Sequence, residues 1–189
     1  MRTLLFTIAL TLLGGCASTV TIEDHKIRSI KNEELSQFIG TLRARQESAV
    51  SPDGFLLVRI TTTEDLVRMS QTKSLIVDPK VRFCKPSKKR YRLNVSGMSL
   101  NGRSLFERMR DKPDQSYDHE RTYDVLLYVS LKENTFAKEY NPDLSHTGHD
   151  LRHNPDDLCI SVGGGNLGTR IYSNTIRVEE DEIRQALKY

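Results

Sequence analysis

Three histidines, His146, His149 and His153, lie close together, with Asp143, Asp150, Asp156 and Asp157 around them. Imidazoles and carboxylates are the donors that zinc uses, and the spacing H-x2-H-x3-H could set two rings one turn apart on a helix. Gly148 interrupts the first pair, Asn154-Pro155 ends the run, and no H-E-x-x-H pattern occurs. The segment therefore reads as a solvated polar loop, and no metal is expected. Gly163-Gly164-Gly165-Asn166-Leu167-Gly168 formally fits G-x-G-x-x-G, but that motif holds a pyrophosphate only where a helix N-terminus follows. Here Arg170 to Ile176 reads as strand, so the glycines are expected in a hairpin or bulged turn that uses their positive φ, with no cofactor. There is no G-x-S-x-G elbow, and no spacing joins Ser, His and Asp into a triad. The chain is not expected to be an enzyme.

Lys80, Arg82, Lys85, Lys88, Lys89, Arg90 and Arg92 crowd into thirteen residues without an acid. One reading is a solvated edge, since lysines on edge strands discourage aggregation. The other is a docking patch for anionic lipid headgroups or an acidic protein. The whole chain carries a formal charge of only +3, which does not call for nucleic acid as a partner.

The elements that would carry these groups begin with an export signal. Arg2 precedes an apolar run from Leu4 to Leu13, broken only by Thr7 and Thr11, and then come Gly14, Gly15 and Cys16. A basic start, a short apolar run and small residues before a cut form the layout of a secretory signal. A membrane span would need roughly 20 apolar residues. Leu13-Gly14-Gly15-Cys16 resembles the lipobox of bacterial lipoprotein precursors. That resemblance implies cleavage before Cys16, a diacylglycerol on its thiol and acylation of the new amino terminus. Two or three acyl chains give durable membrane attachment. Enterobacterial lipoproteins held in the inner membrane tend to carry Asp after the lipidated Cys. Ala17 in that place implies the inner leaflet of the outer membrane.

The expected organisation is a signal peptide over 1–15, a lipidated tether with a first strand over 16–30, and one periplasmic domain over 31–189. Cleavage would leave 174 of the 189 residues and, with Arg2 gone, a charge of about +2. That length is typical of a single domain. Cys84 and Cys159 then remain in an oxidising compartment and are expected to form a disulfide. They lack the C-x-x-C spacing of a redox pair.

Leu35, Phe38, Ile39 and Leu42 repeat at helical spacing and predict an amphipathic helix near 32–47, with Asn32 as its cap. Ser51-Pro52-Asp53-Gly54 should turn the chain, followed by a strand from Phe55. A helical turn at Glu64–Ser70 could be capped by Thr63. Asp78-Pro79 should turn the chain again, and Leu105, Phe106 and Met109 could line a short helix. Tyr123–Leu131, apolar on both faces, should be a central strand. Leu158, Ile160 and Val162 should form another, Ile176 and Val178 a last one, and Glu179–Leu187 a C-terminal helix. The expected class is mainly β to α+β, an antiparallel sheet or sandwich.

A small, anchored, disulfide-linked β-rich domain loosely resembles, in general plan, the immunity lipoproteins that neutralise toxins delivered by type VI secretion. The resemblance implies a steric plug for a toxin's active-site cleft, using loop 141–157 or the basic segment 80–92. The alternative is a structural or accessory lipoprotein of an envelope assembly, such as a secretion or pilus system, contacted through exposed edge strands.

Overall fold

Apolar side chains line both faces of Phe55–Thr62 and Thr122–Tyr128, and these segments become neighbouring strands in the interior of one sheet. The computed structural model describes residues 16–50, 53–85, 93, 95–108, 121–130 and 150–188. In chain order the strands are β1 Cys16–Val20, β2 Ile22–Ile30, β3 Phe55–Thr62, β4 Ile76–Phe83, β5 Val95–Leu100, β6 Arg103–Ser104, β7 Thr122–Tyr128, β8 Leu158–Gly165, β9 Thr169–Ser173 and β10 Ile176–Val178. The helices are α1 Thr41–Val50, α2 Leu66–Lys73, α3 Leu105–Arg108 and α4 Glu180–Ala186, with a 3-10 turn at Asn32–Gln37.

The first sheet runs β2-β3-β7-β5-β6 and is antiparallel throughout. The second is centred on β8. Strand β4 lies along one side, β10 and β9 share the other, and β1 lies beyond β9. The β1–β9 pair is parallel, a departure from the antiparallel expectation. Leu56, Val58 and Ile60 of β3 and Tyr123, Val125 and Leu127 of β7 share one core with Val77, Phe83, Leu158, Ile160, Val162 and Ile171 of the second sheet. The opposite face of the first sheet, with Phe55, Leu57 and Leu126, is covered by Leu35, Phe38, Ile39 and Ala44. Strands β3 and β7 are thus buried on both faces, and the protein is mainly β within an α+β class.

Several local expectations change. The helix near 32–47 divides into the 3-10 turn and α1. Gly40, a poor helix former, lies at the break and leaves its carbonyl to accept from Ala44 N–H at 2.9 Å. Lys31, rather than Asn32, is the N-cap of the 3-10 turn, and Glu34 in its first turn pairs with Arg28 at 3.0 Å. Asp65, rather than Thr63, caps α2 by accepting from Arg68 N–H at 2.9 Å. Asp78 and Pro79 do not turn the chain but lie inside β4. Among the described residues β4 pairs only with β8, and an edge strand is where a proline's missing N–H is tolerated. The short helix expected around Leu105 forms as α3 with Leu105 buried, but Phe106 is 53% exposed, and Met109 lies outside the described residues. The segment expected as a tether is sheet from Cys16 onward: β1 belongs to the second sheet and β2 to the first. The crossing is held where Asn174 accepts from Ile22 N–H at 2.7 Å and donates to the Ile22 carbonyl at 3.1 Å. Among the described residues no helix is long and apolar enough to cross a membrane.

Candidate docking surface

Alternation along a strand sends every second side chain to the same face. On β4 that places Val77 and Phe83 in the core and leaves Asp78, Lys80 and Arg82 exposed. Register then decides which other side chains join them. Arg82 stands opposite Cys159, whose neighbour on the far side is Arg177 of β10. Lys80 stands opposite Ser161, and Gly163 opposite Tyr172 of β9. Arg170 lies two residues before Tyr172 on the same face, because Ile171 between them is buried. The outer face of the second sheet therefore gathers Lys80, Arg82, Arg170 and Arg177, with Tyr172 46% exposed among them.

Glycine shapes this face. A Cβ at Gly163 would lie 2.7 Å from Lys80 Cε, so the lysine stem lies across the glycine. The Arg170 guanidinium donates to the Tyr172 hydroxyl at 3.4 Å, the largest of the effects that raise its pKa. Arg177 pairs with Asp157, whose other oxygen accepts from Glu180 N–H at 3.0 Å. Those two hydrogen bonds, the backbone one first, lower the Asp157 pKa against the opposing effect of burial. Beside β4 a groove of about 550 Å³ is lined by Pro79, Lys80, Val81, Arg82, Leu93, Val95 and Ser161.

The structure thus brings together only part of the basic run. Lys80 and Arg82 lie on the face. Lys85 turns away to pair with buried Asp156 at 3.1 Å, which raises its pKa. Lys88, Lys89, Arg90 and Arg92 lie outside the described residues. Arg170, Arg177 and Tyr172 were missed in the sequence. The short alternation in 169–173 and 176–178 carried the signal for their face, but only pairing with β8 sets them beside β4. Cys84 and Cys159 form the expected disulfide, with Cα atoms 5.0 Å apart, and Cys159 lies between Arg82 and Arg177 on the same face. Cys16 opens β1 in register with Thr169.

The histidine segment resolves differently. His146, His149 and Asp143 lie outside the described residues, and His153 is exposed with Nδ1 3.0 Å from Asp150. Asp150 chiefly serves Arg152, at 2.7 Å, and Arg152 reaches Asp53 at 3.0 Å. Asp53 also accepts a hydrogen bond from the Ser130 hydroxyl. Among the described residues no three His, Cys, Asp or Glu side chains cluster as metal ligands. The arrangement instead ties the chain before β8 to the turn before β3.

That cluster predicts a pH dependence. Hydrogen bonding to Arg152 holds the Asp150 carboxyl well below the ordinary range, and Ser130 and Arg152 lower Asp53. A depressed carboxylate pKa contributes stability that is complete above the unfolded value of about 3.9 and lost as pH falls toward the folded one. Asp150→Asn should therefore cost about 1 kcal/mol in urea unfolding at neutral pH. The cost should be unchanged at about pH 5.5 and shrink below about pH 4. A gap between variant and native protein that persists undiminished into acid would show that the charge is immaterial.

No family model, curated protein or solved structure matches this chain.

Proposed function

We propose that the mature chain is a periplasm-facing lipoprotein, anchored through Cys16, that works as a protein-binding module. The observation that carries the binding role is the gathering of Lys80, Arg82, Arg170 and Arg177 on one sheet face, with Tyr172 among them. Tyr and Arg are the residue types enriched where protein interfaces form. The face is predominantly basic, with Asp78 as the acid among its cations, and such an excess of one sign steers an oppositely charged partner and sets its orientation. The partner is accordingly an acidic protein, and an immunity role, in which this face closes over the cleft of a secreted toxin, is the favoured form. Ala17 after Cys16 supports the outer membrane over the inner. The alternative, an accessory of an envelope assembly, is supported by β4, whose outer edge has no ladder partner among the described residues and could take an added strand.

The test is capture on tagged lipoprotein from detergent-solubilised envelopes, comparing native protein with Lys80→Glu/Arg82→Glu. The expected result is one stoichiometric acidic protein, reduced about tenfold by the double reversal and weakened by salt. A toxin-like enzyme as that partner supports immunity, and components of one envelope machine support the accessory role. Full retention by the charge-reversed protein would rule the face out as the contact.

A further inference from the structure

Of the four large apolar side chains that stand exposed among the described residues, Leu167 (110%) and Ile76 (50%) lie at one end of the second sheet. The pairings run in a line across that end: Ile76 opposite Gly165, Gly165 opposite Arg170, and Arg170 opposite Ala17. Cys16 is the next residue outward, opposite Thr169. Leu167 sits at the tip of the β8–β9 hairpin, three residues before Arg170. With strands about 4.8 Å apart, the tip is within roughly two strand spacings of Cys16.

The tip is built to hold its shape. The Asn166 side-chain oxygen accepts from Gly168 N–H at 2.9 Å and Thr169 N–H at 2.8 Å. The Asn166 amide donates to the Lys73 carbonyl at 2.9 Å, which ties the tip to the end of α2. The Lys73 ammonium reaches Ser18 of β1 at 2.9 Å. A cation, Lys73, therefore stands between the tip and the start of β1.

We infer that this end of the second sheet is a membrane-docking surface, with Leu167 and Ile76 entering the bilayer interface beside the acyl chains on Cys16. The inference rests on the reading of Cys16 as the acylated residue. No spacer separates that residue from the sheet, since Cys16 is itself the first residue of β1. Lipid on its thiol brings this end of the sheet to the bilayer surface, where Leu167 can leave water and Lys73 can meet headgroup phosphates. The domain then stands on the membrane in one orientation rather than swinging on a tether. The strands rise from the surface, the disulfide lies at the far end, and the basic face is presented sideways to a partner.

The chain contains no tryptophan, so Leu167→Trp introduces a single reporter. The experiment uses the full mature lipoprotein, acylated in its host and reconstituted into phosphatidylethanolamine–phosphatidylglycerol vesicles with brominated acyl chains. Phe106→Trp, at an exposed site on helix α3, is the reference. Palmitate labelling and vesicle flotation, with Cys16→Ser as the control, report the anchor separately. The expected result is a blue-shifted Leu167→Trp emission quenched several-fold more than Phe106→Trp. Labelled, floating protein whose Leu167→Trp emission is no more quenched than the reference would overturn the docking inference and leave the anchor standing. Absence of label in the native protein would overturn the anchor reading, and the docking inference with it.

Discussion

Gly164→Ala should destabilise the domain by about 3 kcal/mol or more, the upper range for forcing atoms into packed space. A Cβ at Gly164 would run into the Ile76 carbonyl and reach 3.0 Å from Val77 Cα. Both obstacles are backbone of the paired strand, and backbone cannot swing aside as a side chain can. The β4–β8 ladder must open locally, and it carries Val77, Val162 and Ile160 into the core shared by both sheets. For a chain of this length the cost corresponds to a fall in Tm of roughly 10 °C. The neighbouring glycine provides the contrast. At Gly163 the obstacle is the end of the Lys80 side chain, which can move, so Gly163→Ala should cost under about 1 kcal/mol. Thermal unfolding of the two variants side by side tests the argument, and equal losses would defeat it.

Replacing both Cys84 and Cys159 by Ala should cost about 4 kcal/mol, because the bridge closes a loop of 75 residues and restricts the unfolded chain. The native geometry needs little from it. Cys84 N–H already donates to the Asp157 carbonyl at 2.9 Å, and Phe83 already pairs with Leu158. The variant should therefore fold to the same structure with a lower urea midpoint. The native protein's intact mass should fall by about two hydrogens relative to its reduced form. A midpoint change worth less than about 1 kcal/mol would show that the unfolded chain is not the state on which the bridge acts. Since Arg82 and Arg177 flank Cys159, partner capture by the double variant also reports whether the bridge steadies the basic face.

Legibility in the sequence followed the range of the interaction. The β7 segment was readable because Val125, Leu127 and Leu126 make both faces apolar, and only a strand with a layer on each side satisfies that pattern. The C-terminal helix expected over Glu179–Leu187 forms as α4, with Ile183 inside it and Leu187 at its C-cap both buried. The helix near 32–47 was half legible. Its apolar spacing located the residues that cover the first sheet, but spacing alone does not distinguish one helix from a 3-10 turn and a helix meeting near Gly40. The Asp78-Pro79 pair was misread because a turn signal is local, whereas tolerance of proline depends on whether the strand lies at an edge. The triple glycine was read as a hairpin or bulged turn, whereas Gly163, Gly164 and Gly165 end strand β8 and the turn itself is 166–168. Only Gly165 has a positive φ, 153°, while Gly164 is required by the close approach of β4.

By itself the sequence determined the mainly β class, the two-faced central strand, the pairing of Cys84 with Cys159, and a basic patch that includes Lys80 and Arg82. These follow from side-chain period, composition and the count of cysteines left to pair, all of which are properties of short stretches or of inventory. The tertiary structure alone decided that Arg170, Arg177 and Tyr172 join that patch, that Lys85 leaves it for Asp156, and that Cys16 begins a strand beside an exposed Leu167. Those outcomes depend on strand order and register. A register shift of one residue would send every side chain of a strand to the opposite face, and register is set by the packing of the whole core.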